Sequence, residues 1–353
     1  MSLKRILPMW YFLVLVKCSQ VHRNNSDEDG SKLIRIVGDV IFGGIFPMHE
    51  HRAPTLSAES PCGAVKEEKG VQRLEAMLYA LDLINSDNEL LPNTTLGALI
   101  LDSCSSDTYA LDQSMEFVRS YMNQDISEYK CESGKSPLYV PHKPVTGVIG
   151  ASFSGVSIMV ANILRLFKIP QVSYASTSTE LSDKNRFEYF SRVVPPDNFQ
   201  AQAMVEVVHE LGWKYVSTVA VEGDYGEKGI ASFIALAAEY QICVAVSEKI
   251  LRNAKPENFE KIVDSLGSKP NARAVVLFVD EDNIRKLLHA TIKANRTGHF
   301  MWIGSDSWGA KVHPVKEQEF AAEGAITILP FKNSLEGRKF FFQLRFSFSK
   351  IYG

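Results

Sequence analysis

Five stretches of this chain read as an apolar strand that runs directly into a polar turn and then a helix. Repeated units of this kind leave few ways to fold. The helix carries the chain back, so successive strands lie parallel, and the helices cover both faces of the sheet. Strands are predicted over residues 34–45, 96–102, 145–149, 171–174, 215–221, 242–250, 274–279, 300–303 and 325–330, with Gly43-Gly44 at a turn. Helices are predicted over 69–85, 108–121, 156–167, 200–211, 227–240, 259–266 and 283–294. In the first of these, Val71, Leu74, Leu78 and Leu81 recur at helical steps and form one stripe to bury. That many units in 353 residues imply an α/β fold with two sheets. The break between them falls at Val193-Val194-Pro195-Pro196, where two prolines stop a strand.

Ligands of open α/β sheets bind beyond the carboxyl ends of the strands, so the turns there are the places to look. Two consecutive turns, 150–155 and 175–179, are rich in hydroxyls: Ser152 and Ser154 in the first, Ser176, Thr177, Ser178 and Thr179 in the second. A helix N-terminus offers unpaired N–H groups and partial positive charge, so two such ends with added hydroxyls form a cradle for a carboxylate-sized anion. The ordinary alternative for either turn alone is helix capping. Gly150-Ala-Ser-Phe-Ser-Gly-Val-Ser157 nearly matches a phosphate-binding loop, but Val156 stands where the lysine facing the terminal phosphates belongs. A nucleotide is therefore excluded and a monovalent anion is not.

Asp197, Tyr225 and Asp306 each lie just past a strand end, where two carboxylates and a phenol could hold an ammonium group. Each alone is equally an ordinary turn residue. Lys69 and Arg73, four apart, read by spacing as a solvated basic face. The eight histidines form no metal-ligand spacing, and no nucleophile elbow or triad order stands out. Nothing in the chain asks for a cofactor or for an enzyme, and a net charge of −3 gives no reason to expect nucleic acid as a partner.

Residues 1–20 read as a signal peptide: Lys4 and Arg5 precede an apolar run over 6–16 that is too short to span a bilayer. The secretory pathway then gives the cysteines a meaning. Cys18 leaves with the signal, and Cys62, Cys104, Cys131 and Cys243 permit two bridges in three connectivities. Sequons at Asn24, Asn93 and Asn295 fit a glycosylated extracellular surface.

Longer motifs join these pieces. Gly70-Val-Gln-Arg-Leu-Glu-Ala-Met-Leu78, Gly147-Val-Ile-Gly-Ala-Ser152, Ile169-Pro-Gln-Val-Ser-Tyr-Ala-Ser-Thr177, Phe190-Ser-Arg-Val-Val-Pro-Pro-Asp197 and Ile303-Gly-Ser-Asp-Ser-Trp308 resemble the extracellular ligand-binding region of metabotropic glutamate receptors, which are dimeric class C G-protein-coupled receptors. The likeness runs from about Ile34 to about Leu329 and is nearest the group II/III branch or an invertebrate relative. It implies a two-lobed Venus-flytrap clamshell, similar to type I periplasmic binding proteins, with lobe 1 over 32–192, lobe 2 over 193–324 and a hinge return over 325–353.

The resemblance also implies roles. Ser154 and Thr177, with the backbone of Ala175 and Ser176, would bind the α-carboxylate of L-glutamate. Asp197, Tyr225 and Asp306, with Thr177, would surround its ammonium, and Lys69, Arg73 and Lys311 would face the distal carboxylate. Cys62 would bridge to Cys104, Cys131 would join two protomers of a homodimer held through lobe 1, and Cys243 would lack its partner. Gly155 departs from the family by removing one hydroxyl from the cradle, and the match fades after Leu335, with 340–348 unlike the family. The chain is thus expected to be a C-terminally truncated ligand-binding fragment, secreted if it ends here, with G-protein coupling confined to a full-length form at the plasma membrane. The competing expectation is a non-signalling product that acts only by dimerising with a full-length receptor.

Overall fold

The computed structural model describes residues 33–52, 61–122 and 143–331. The expected signal segment with Cys18, the sequon at Asn24, Cys131 with most of its polar loop, and the stretch 340–348 lie outside the described residues. The rest forms two helix-flanked sheets, as the repeated units require.

The first unit contains β1 (Leu33–Ile36), β2 (Val40–Phe46), β3 (His49–His51), β4 (Cys62–Val65), α1 (Gln72–Ser86), β5 (Leu96–Asp102), α2 (Asp107–Val118), β6 (Val145–Ile149), α3 (Ser154–Leu164), β7 (Gln171–Ser173) and β8 (Phe190–Arg192). Its six-stranded sheet has the order β1-β5-β2-β6-β7-β8. All neighbours are parallel except β1, which runs antiparallel to β5 at the edge. The sheet is covered on both sides. Leu74, Met77, Leu78 and Leu81 of α1 pack with Phe46, Leu96, Ala98 and Ile100 on one face. Phe117 of α2 and Val156, Val160 and Leu164 of α3 pack with Ile45, Leu101, Val145 and Val148 on the other. β3 and β4 form a separate antiparallel hairpin.

Gly43-Gly44 is not a turn: both glycines sit inside β2. A Cβ at Gly43 would lie 2.8 Å from the Phe117 ring, and one at Gly44 2.8 Å from Met77 Sδ. The pair exists because α2 and α1 press on this strand from opposite faces. The helix expected from 69 begins at Gln72, and a π-helical turn, Glu67–Val71, precedes it. Lys69 therefore lies in that turn, three residues before the regular helix.

The second unit contains α4 (Asp197–Glu210), β9 (Tyr215–Val221), α5 (Asp224–Glu239), β10 (Cys243–Ile250), α6 (Pro256–Gly267), β11 (Ala274–Phe278), α7 (Glu281–Lys293), β12 (Met301–Gly304) and β13 (Ile326–Thr327). Its five strands run parallel in the order β10-β9-β11-β12-β13. The central strand β11 is buried throughout and alternates sides. Val275 and Leu277 join α6 and α7, whereas Ala274, Val276 and Phe278 join α4 and α5. β8 is the last strand of the first sheet and α4 packs on the second, so the chain passes between units at the two prolines. Ile326–Thr327, expected to begin a return to the first lobe, instead pairs with β12 and extends the second sheet.

The disulfide between Cys62 and Cys104 closes with Cα atoms 4.9 Å apart, tying β4 to the turn after β5. Cys243 is a free, exposed thiol at the start of β10. Asn93 and Asn295 occupy left-handed turn positions with φ of 60° and 52°. Among the described residues no helix is long and apolar enough to cross a membrane.

Candidate functional site

The carboxyl ends of the two sheets face each other across a polar cleft of about 1170 Å³. Lys69, Arg73, Ser154, Ala175, Thr177, Tyr225, Asp306 and Lys311 line it. These eight residues come from five separate segments and are brought to one place by the topology alone. Ser176 and Asp197 are fully buried behind the wall.

The hydroxyl turns differ in construction. The first opens α3, whose N-terminal residues Ser154, Gly155 and Val156 reach the cleft. The second does not open an α-helix: it leads only into the four-residue 3-10 turn Thr179–Ser182. Its order comes from side chains instead. Ser173 Oγ accepts from the amides of Ala175 at 3.2 Å and Ser176 at 2.9 Å. Ser176 Oγ lies 2.7 Å from Ser157 Oγ. Two of the amides expected to face an anion are thus committed to Ser173. Ser154 Oγ accepts from the amide of Ser178 at 3.1 Å, which leaves its own proton to donate.

Asp197 opens α4 on the second unit, and Asp306 follows β12. Gln200, one turn after Asp197, links them: its amide donates to Asp197 Oδ1 and to Asp306 Oδ1, and its carbonyl accepts from the amide of Asp306 at 3.1 Å. The Tyr225 hydroxyl is 2.8 Å from Asp306 Oδ1 and 2.7 Å from Ser305 Oγ. Asp197 Oδ2 is buried without a hydrogen-bond partner. Burial and the nearby Asp306 charge push the Asp197 carboxyl up to about 7. The Tyr225 phenol is raised by burial, then by Asp306 and Asp197. Arg192 approaches this group, but its guanidinium donates to the carbonyls of Ser176 and Ser178.

The basic side corrects the surface reading of Lys69 and Arg73. Lys69 is 6% exposed. Its ammonium is 3.5 Å from Glu281 Oε2 and 5.2 Å from the Phe153 ring centre. Arg73 lies over the Tyr174 ring at 5.2 Å and donates to Ser152 Oγ. Lys311 is 3.9 Å from the same Glu281 oxygen, and burial with the neighbouring Lys69 charge brings its ammonium down to about 7. Lys66 completes the set, 3.1 Å from Glu281 Oε1 and 2.8 Å from Asp282 Oδ2. Burial raises the Glu281 carboxyl, but Lys69, Lys66 and Lys311 outweigh it and hold the group below the usual range.

Glu281, Lys66, Gln200 and Ser173 escaped the sequence reading. Asp280-Glu281-Asp282 looks like a helix N-terminus with dipole-favouring acids, and Asp280 does cap α7 by accepting from Asn283. Nothing in that pattern tells which acid is buried. Gln200 carried one weak signal, its spacing of three from Asp197 on a helix.

A pair of helix-flanked parallel sheets enclosing a polar, small-molecule-sized cleft is the form of a receptor ligand-binding region. The family model described as the receptor family ligand binding region matches residues 72–350, so the stretch 340–348, expected to be unlike the family, falls within the match, and the chain belongs to that family. It is 53% identical over 340 residues to metabotropic glutamate receptor 8 of Homo sapiens, covering 95% of this chain and 37% of that protein. It is 55% identical over 313 residues to metabotropic glutamate receptor 4 of Macaca fascicularis, covering 88% and 34%. With metabotropic glutamate receptor 6 of Rattus norvegicus the identity is 52% over 322 residues, covering 90% and 36%. The chain therefore spans little more than a third of the length of these curated relatives. They are receptors and not enzymes, in keeping with the lack of a catalytic constellation in the sequence.

Proposed function

We propose that the cleft binds L-glutamate and that this chain is the ligand-recognising part of a metabotropic glutamate receptor. The observation that carries this reading is the acid pair: Asp197 and Asp306 are coupled through Gln200, and Asp197 Oδ2 has no hydrogen-bond partner. Two carboxylates held together away from water favour a cation between or beside them. An α-ammonium meets Thr177, Asp306 and the Tyr225 oxygen at the wall, with Asp197 adding charge from behind. The α-carboxylate takes Ser154 Oγ, Thr177 and the opening of α3. Lys69, Arg73 and Lys311 take the distal carboxylate, which displaces part of the hold of Lys69 and Lys311 on Glu281. Residues 32–192 and 193–324 act as the lobes that close on the ligand. Dimerisation through lobe 1 and Cys131, extracellular placement and G-protein coupling in a longer form belong to the same reading.

Isothermal titration of the secreted chain tests the site. L-Glutamate is expected to bind with one site per chain. N-Acetylglutamate, which keeps both carboxylates but lacks the ammonium, is expected to give no measurable heat. Equal binding of the two compounds, or binding unaffected by Asp306→Asn and Thr177→Ala, would sink the assignment.

A further inference from the structure

At the rim of the cleft, apart from the residues assigned to glutamate, three metal-ligating side chains converge. One carboxylate oxygen each from Glu50 and Asp282, and one imidazole nitrogen of His313, all lie within 4.8 Å of one another. They come from three elements on two lobes: Glu50 from β3, Asp282 from the first turn of α7, and His313 from the loop after β12.

Each is positioned by its own surroundings. Glu50 is the middle residue of β3, whose pairing with β4 is irregular between His49 and His51, and both Glu50 and His51 line the cleft. His49 is taken by Asp102, with which it makes a hydrogen bond. The hairpin that carries Glu50 is tied down through the Cys62–Cys104 bridge. The Arg285 guanidinium donates to the His313 carbonyl at 3.1 Å and so anchors the loop. His313 Nε2 and Asp282 Oδ1 are 3.2 Å apart. Two donors at that separation, each about 2.1 Å from a shared ion, subtend about 100° at it, close to a tetrahedral or octahedral angle.

We propose that Glu50, Asp282 and His313 form a site for a divalent transition-metal ion of the zinc type, which fastens the two lobes across the mouth of the cleft. One imidazole with two carboxylates suits zinc, whereas calcium and magnesium take all-oxygen sets. Three protein ligands leave a fourth position for water, as half-exposed side chains at a rim allow. Lys66 is the competing cation, but it sits on Asp282 Oδ2 and divides its charge with Glu281, so Oδ1 remains available. A bridging ion adds a lobe-to-lobe contact beside the existing pairs of Lys66 with Asp282 and Arg252 with Asp107. It binds the closed arrangement better than an open one and so shifts the population toward closure.

The test is zinc chloride titration of the secreted, untagged chain after chelator dialysis, in a Cys243→Ser background because that exposed thiol is itself a zinc ligand. No glutamate is added, so the outcome is independent of the glutamate reading. One zinc per chain is expected, together with a zinc-dependent rise in the thermal midpoint. Glu50→Gln and His313→Ala, both at partly exposed positions, are each expected to weaken zinc binding by roughly tenfold or more and to abolish that rise. Magnesium chloride is expected to show no saturable binding. Zinc affinity unchanged in either variant, or magnesium binding as tight as zinc, would overturn the proposal.

Discussion

The acid side and the basic side of the cleft are balanced in opposite ways. On the acid side, the carboxylates of Asp197 and Asp306 take hydrogen bonds from the neutral groups of Gln200 and Tyr225, and the nearby cations spend theirs elsewhere: Arg192 on Ser176, Ser178 and Ser182, and Lys311 on the backbone carbonyls of Asp306 and Ser307. On the basic side, Lys66, Lys69 and Lys311 converge on Glu281. A ligand ammonium therefore supplies charge that the acid side lacks. A ligand carboxylate arriving at the basic side has to compete with one already there. The amine end of the ligand is accordingly expected to contribute more affinity per contact than the distal end.

The largest expected effect tests the basic side. Removing one member of a buried ionic cluster leaves its partners uncompensated, at a cost of about 3–5 kcal/mol. Glu281→Gln keeps the volume and deletes the charge, so urea unfolding is expected to show a loss of that order. A loss under about 1 kcal/mol, the range of surface pairs, would mean that Glu281 does not hold the cluster together. The acid side comes next. Asp306→Asn leaves a neutral oxygen beside Tyr225 and Gln200, and the charge-assisted contact it removes is worth about 1.5–3 kcal/mol. Glutamate affinity is expected to fall by roughly ten- to a hundredfold, with the unfolding midpoint little changed. If Lys69→Ala costs more affinity than Asp306→Asn, the ranking of the two ends is reversed.

The same contrast has a pH signature. Asp197 titrates near 7 in the fold, above an ordinary aspartate near 3.8. The folded state then binds the proton more tightly, so this contribution to stability is full below about 4 and is lost as pH rises through 7. Lys311 is the opposite case, near 7 in the fold against 10.5. The unfolded state binds its proton more tightly, so its contribution is full above about 10.5 and is lost as pH falls through 7. Ligand-free stability is therefore expected to decline from pH 4 toward 7 on account of Asp197 and to recover above 7 on account of Lys311. Asp197→Asn should flatten the first limb only, and Lys311→Met the second only, in thermal melts across that range. A single variant that flattens both limbs would show that the two sides titrate as one unit.

What the sequence revealed follows from which forces are local. The strand-and-helix pattern and the proline break were legible because periodicity and Pro chemistry act over a few residues. Gly43-Gly44 was misread because its cause, Phe117 and Met77 closing from two faces, lies far along the chain. The acid side was visible because Asp197, Tyr225 and Asp306 stand at strand ends, where the topology puts ligands. The basic side was not, since spacing alone presents Lys69 as solvated. Its burial depends on Glu281, more than two hundred residues away and on the other lobe. The resemblance to glutamate receptors named Lys69, Arg73 and Lys311, all of which line the cleft, but not the acid that Lys69 and Lys311 share.

The smallest expected effect concerns Gly155, in the first turn of α3 next to Ser154 and Phe153, where the two sides meet. A Cβ built there has no neighbour within 4 Å. Glycine in a helix is less favourable than alanine by about 0.8–1.0 kcal/mol in the interior, and less near an end. Gly155→Ala is therefore expected to raise stability by roughly 0.5 kcal/mol. With open space for the methyl group, glutamate affinity should hold within about twofold, a difference of roughly 0.4 kcal/mol. A larger loss of affinity in the same titration would mean that the ligand lies against Gly155. The α-carboxylate would then sit deeper toward the opening of α3, and nearer the Phe153 ring under Lys69, than the separate acid and basic sides imply.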